Sequence, residues 1–173
     1  MIRIIGAQGT IKNIDGFVAE LLSFSQQEHV ILQALNADLI YGKDHVLSAV
    51  SHAQRAFKQH TNATNSLALE ILLYAAGERQ IQKAIAKMGV KQGKQSVVFV
   101  LVDTKKTLNR KAYDAVVDRL LEAFHFTRND KVLEGNSTTL KRFGITTQEL
   151  RTIPKQKYGD VILEKIAMVD IIK

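Results

Sequence analysis

Arg79, in the stretch Gly77-Glu-Arg-Gln-Ile81, has the setting that reads most like a binding site. One helical run ends at Gly77 and another begins after it. The break exposes backbone N–H groups beside a guanidinium, which suits an anion. An ordinary helix–turn–helix packed in a core has the same pattern. Asn36 and Asp38 sit where a β run, Val30 to Leu35, ends, and loops at such exits often carry function. An Asx turn would use the same side chains locally. His45 and His52 are seven apart and share one side of a helix, but without a nearby acidic ligand they make a poor metal site. The chain has no cysteine, no G-x-S-x-G elbow and no Walker or Rossmann glycine pattern. Its carboxylates show no spacing that argues for acid–base work. The chemistry on offer is binding, and the expectation is a protein that is not an enzyme and takes no cofactor.

The element behind Arg79 is the run from Asn65 to Gly89. Between Leu67 and Ala76 the one charged residue is Glu70, so this helix is apolar on nearly every side and belongs in a core. Asn65 or Ser66 can cap its start. After Gly77, Ile81, Ala84, Ile85 and Met88 recur at the spacing of one helix face, and Gly89 suits a left-handed end. Upstream, Ile2, Ile4 and Ile5 predict a short strand turned by Gly6 and Gly9. Phe17, Val18, Leu21, Leu22 and Phe24 predict an amphipathic helix capped near Asn13 or Asp15. Val46, Leu47, Val50, Ala53 and Phe57 mark the buried stripe of a third helix, with His45, His52, Arg55 and Lys58 as a polar ridge. Asp44 is its candidate cap.

Downstream, Ser96 to Asp103 is β-branched and apolar on both faces, a central strand. Asn109 opens a helix carrying Tyr113, Val116, Val117, Leu120, Leu121 and Phe124. Short helices are expected at 137–143 and near 147–151. The cations Lys141, Arg142, Arg151, Lys155 and Lys157 there read as a solvated loop, with an RNA contact as the alternative. These elements predict one mixed α/β (α+β) domain over 1–173, with a small antiparallel or mixed sheet flanked by helices.

The closing helix, about 160–173, is apolar around most of its circumference. Glu164, Lys165 and Asp170 are scattered in angle. It needs cover on two sides, from its own domain or from another protein.

A length of 173 residues suits one domain with a sizeable core. Twenty-four basic against seventeen acidic residues give +7, which favours an anionic partner, nucleic acid first. No signal peptide opens the chain, and its apolar runs are far too short for a membrane span. A cytoplasmic protein, also nuclear if eukaryotic, is expected. On that ground the glycosylation-like triplets at Asn62 and Asn136 are chance.

Two blocks, LQALNADLIYGKDHVLSAVSHA and LALEILLYAAGERQIQKAIAKMGV, together resemble the small regulatory subunit family of the KEOPS/EKC complex, the TPRKB-like PRPK-binding proteins. With SVVFVLVD the likeness covers roughly 31 to 103. The family implies a noncatalytic subunit for threonylcarbamoyl-adenosine modification of tRNA. Its implied partners are a kinase-like ATPase subunit, the tRNA acceptor CCA end and, indirectly, the threonylcarbamoyl transferase subunit. The resemblance places tRNA binding on Asn36, Lys43, His45, Asn65, Arg79, Gln80 and Ile81. It places kinase binding on Val161, Ile162, Lys165, Ile166 and Val169. A scaffold that binds the kinase without tRNA is the alternative.

Overall fold

The computed structural model describes residues 1–171. A four-stranded, wholly antiparallel sheet runs in the order β2-β3-β1-β4. It is made of β1 (Ile2–Ile11), β2 (Ile31–Asn36), β3 (Gly93–Val102) and β4 (Thr127–Arg128). The helices are α1 (Ile14–Gln27), α2 (Gly42–Gln59), α3 (Leu67–Ala76), α4 (Ile81–Met88), α5 (Arg110–Ala123), α6 (Ser137–Phe143), α7 (Thr147–Arg151) and α8 (Tyr158–Met168).

β3 is the central strand that its composition predicts. Val97 to Val102 are all buried, and alternate side chains serve two cores. Val97, Phe99 and Leu101 meet α1 and α5 on one face, around Phe17, Phe24, Phe124 and Phe126. Val98, Val100 and Val102 meet α2, α3 and α8 on the other. The result is a sheet between two helical layers.

β1 is ten residues long, well past the short strand expected at Ile2 to Ile5, and runs straight through both glycines. Gly6 and Gly9 are there for close approach, not for turning. A Cβ at Gly9 would lie 2.7 Å from the Phe126 ring, and one at Gly6 would lie 2.5 Å from the Asn129 carbonyl oxygen. Gly89 is likewise not a left-handed stop, since its φ is −65°. Its missing Cβ makes room for the Ile85 carbonyl. Asn13, Ser66 and Asn109 cap α1, α3 and α5 through their side chains. Asn136 caps α6 in a reciprocal capping box. Asp44 is not a cap: α2 starts at Gly42, with Asp44 inside its first turn. Among the described residues, no helix is long and apolar enough to cross a membrane.

Candidate partner-binding site

α3 lies at the centre of one helical layer, with Ile71 to Ala76 fully buried. Its charged residue, Glu70, is buried as well and is put to local use. The carboxylate accepts hydrogen bonds from the Ala63 and Thr64 backbone N–H groups and from the Thr64 hydroxyl, all at 3.0–3.1 Å. The α2–α3 linker is thereby folded back onto the helix it precedes. Ser66 accepts from the Leu69 N–H, so Asn65 is not the cap and stays exposed on this linker.

Gly77 ends α3 in the left-handed region, at φ 65° and ψ 32°. The chain turns through Glu78, Arg79 and Gln80 into α4, whose N-cap Gln80 makes no side-chain cap bond. The first-turn N–H groups of α4 therefore have no side-chain cap, as the glycine break predicts. Gln80, Ile81 and Lys83 are exposed there.

Arg79 itself is engaged. Its Nη1 donates to the Val169 carbonyl and its Nη2 to the Thr61 carbonyl, both at a long 3.4 Å. It bridges the α2–α3 linker and the end of α8 and, among the described residues, pairs with no carboxylate. The structure thus brings Arg79, Gln80 and Ile81 together at one turn, whereas Asn65 stands before the other end of α3, on the linker that Arg79 reaches only at Thr61.

The other residues assigned to RNA are placed differently. His45 is buried, not on a polar ridge, because α2 is packed by α3 on one flank and by α8 on another. Its Nδ1 accepts from the Tyr41 N–H at 3.1 Å, and Nε2–H donates to the Ala75 carbonyl at 2.8 Å. Those bonds fix the neutral Nε2–H tautomer and leave the ring no atom for a base. Burial pushes its pKa down to about 4; the Ala75 bond opposes the shift and Lys87 adds to it. Asn36 is also buried and accepts from the Asp38 N–H, which is the Asx-type local use. Lys43 is exposed at the start of α2, on the side of Asp130, whose carboxyl it helps hold low.

Lys87 was not singled out by the sequence. Its ammonium donates to the Ala76 carbonyl at 2.7 Å and stands 4.1 Å from the Phe143 ring centre. It thus neutralises the C-terminal end of α3. Its spacing shows only that Lys87 falls outside the apolar stripe of α4, in that helix's last turn.

α8 corrects the largest expectation. Val161, Ile162, Ile166 and Val169 are buried against α2 and α3, Ile162 and Ile166 completely. Their side chains are core and offer nothing to a partner in the isolated chain. A shape that needs cover on two sides was inferred from composition, but the domain covers one side. The outer side carries Lys165, Ala167, Met168 and Ile171, all exposed, Ile171 at 70%. Lys165 approaches Glu149 at 3.4 Å.

α2 and α8 run side by side in the same direction. Gly159 stands by Tyr41 at their starts, and Asp170 meets α2 at their ends. Asp170 accepts from the Tyr74 hydroxyl at 2.5 Å and from Arg55 at 2.6 Å, and lies 2.9 Å from His52 Nδ1. Burial works against its ionised form, yet these bonds hold its carboxyl below the usual range. Leu47 on α2 is exposed too. Around α2 and α8 the exposed large apolar residues are therefore Leu47, which pattern assigned to the buried stripe, with Met168 and Ile171, among the described residues.

Among the described residues, no group of three or more His, Asp or Glu is placed to hold a metal ion. The family model described as kinase binding protein CGI-121 matches residues 10–170. The chain is also similar to the regulatory protein Cgi121 of Methanocaldococcus jannaschii, 32% identical over 145 residues, which span 82% of this chain and 84% of that protein. The family model covers every helix and the sheet apart from most of β1, and the chain belongs to the CGI-121 family of kinase-binding proteins.

Proposed function

We propose that the protein is a noncatalytic regulatory subunit that docks on the kinase-like ATPase of KEOPS. It also carries the acceptor CCA end of tRNA for threonylcarbamoyl-adenosine modification, and so serves the transferase subunit indirectly. The setting is cytoplasmic, and nuclear too in a eukaryotic source.

The observation that carries this reading is the outer side of α2 and α8. Leu47 on α2, Met168 at the end of α8 and Ile171 in the turn after it are exposed apolar residues, and Asp170 ties that end of α8 to α2 and α3. Exposed apolar residues on paired helices suit a protein partner. Lys165 at the edge adds a cation. The buried α8 side chains support the docking face from behind and do not touch the kinase.

For RNA, the supporting observations are the α4 turn without a side-chain cap, its cations Arg79 and Lys83, and the exposed Gln80 and Ile81, with exposed Lys58 and Asn65 on either side of Thr61, which Arg79 reaches. A single-stranded end is recognised in such places by polar groups on base edges and apolar groups under base faces. Holding tRNA on a subunit fixed to the kinase raises the target's effective concentration.

One observation favours a scaffold without tRNA. Arg79 already bonds two carbonyls of its own chain. A pull-down with the kinase-like subunit, followed by titration with tRNA with and without its CCA end, tests both readings. Met168→Glu is expected to abolish capture while circular dichroism stays unchanged. Lys83→Glu is expected to weaken tRNA binding and leave capture intact. Equal affinity for tRNA with and without CCA leaves the scaffold reading.

A further inference from the structure

The other face of the sheet carries a second apolar surface. Ile14, Val18 and Leu22 on α1 are 37%, 52% and 61% exposed. They recur every fourth residue, so they form one strip about 12 Å long. The strip is not the packing face of α1. Phe17 and Phe24 lie about a quarter turn round the helix from it, against Phe124 at ring distances of 5.3 and 6.0 Å. Nor does it belong to the kinase and RNA surfaces, because α1 covers the sheet face away from α2, α3 and α8.

Charge says what kind of partner fits. α1 with its C-cap Glu28 has no lysine or arginine. Together with α5 it carries six acidic side chains against three basic ones, while the rest of the chain carries 21 basic against 11 acidic. Asp15 borders the strip directly. An anionic, apolar face on an otherwise cationic molecule repels nucleic acid and anionic lipid surfaces. A second copy would bring like charge, and three side chains fall far short of the roughly 800 Å² per partner that a stable dimer buries.

We propose that the α1 strip docks an amphipathic helical segment of a partner protein, apolar along one side and basic beside it. Anchors at i, i+4 and i+8 on α1 accept the apolar side of such a helix. The acidic layer favours its lysines and arginines, which gives specificity and encounter rate more than affinity. The site works alongside the kinase and RNA surfaces, since the sheet separates them.

The test uses the full chain and two designed 18-residue helical peptides with the same leucine face, one flanked by lysines and the other by glutamates. Fluorescence anisotropy is expected to show the lysine peptide binding at least tenfold tighter than the glutamate peptide. The double variant Val18→Lys/Leu22→Lys should lose that binding by tenfold or more, whereas Ile85→Lys on the other helical layer should not. Circular dichroism confirms that the variants are folded. Equal binding of the two peptides, no binding of either, or an unchanged affinity in the double variant overturns the proposal. So does light scattering that shows a wild-type dimer dispersed by the same two substitutions, because the occupant is then a second copy.

Discussion

His45 converts burial into a pH dependence. In the unfolded chain its ring titrates near 6.5; in the fold its pKa is pushed down to about 4, chiefly by burial. Between those values the unfolded chain takes up a proton that the folded one refuses. The stabilisation is complete above about pH 6.5 and is lost as pH falls toward 4. Over two pH units this amounts to about 2–3 kcal/mol. His45→Gln keeps one donor and one acceptor but cannot titrate. In urea denaturation at pH 6.5 and 4.5, the wild type should lose about 2 kcal/mol more than this variant. Equal losses would remove His45 as the source. Histidine has a second role at helix ends. His29, His60 and His125 all take φ of 54–57°, a region where a Cβ is unfavourable. His60 ends α2 there. His60→Gly should raise stability by about 0.5–1 kcal/mol and Tm by about 2–4 °C in a scan at neutral pH. The seven-residue spacing of His45 and His52 correctly placed them on one side of α2. It could not show that α3 turns the upper part of that side into core.

At the scale of elements, α8 is the instructive case. Its apolar excess was visible in the sequence, and its direction was not, because nearly every angle around the helix carries an apolar residue. The direction is set by the ends. Asp170 ties the last turn to α2 and α3, and Arg79 holds the Val169 carbonyl. Ile166→Asp therefore puts an unpaired charge into the core and should cost about 3–5 kcal/mol. Met168→Asp on the outer side should change stability by less than about 0.5 kcal/mol. Paired denaturation curves separate the two, and similar costs would mean that α8 is not docked as described. Asp170→Asn should lower amide-exchange protection at Val169 and Asp170 and leave α3 unaffected. Glu70 shows the opposite limit of legibility. The sequence marks it only as the one charged residue in an apolar helix. It is the acceptor that folds the preceding linker, and no periodicity reports a contact made by a loop.

For the whole molecule, much was legible: the mixed fold, the buried α3, the break at Gly77 and the central β3 all follow from periodicity and β-branching. β4, two residues long, and the full length of β1 were not, since both depend on a long-range pairing past Gly6 and Gly9 that local pattern does not encode. Charge was legible only as a total of +7. The fold sorts it, leaving α1 and α5 net acidic and the rest of the chain, strands and loops included, net basic. That separation makes a quantitative claim about RNA. A single-stranded end held by Lys58, Arg79 and Lys83 should release about 0.7 counterion per neutralised phosphate, a slope of about −2 in log K against log salt. Lys83→Ala should make that slope shallower by about 0.7, and substitution of Lys111 on the acidic layer should leave it unchanged. Affinities measured from 50 to 300 mM salt decide the matter. If Lys111→Ala and Lys83→Ala shift the slope alike, the charge is diffuse, and the turn between α3 and α4 is not where the nucleic acid sits.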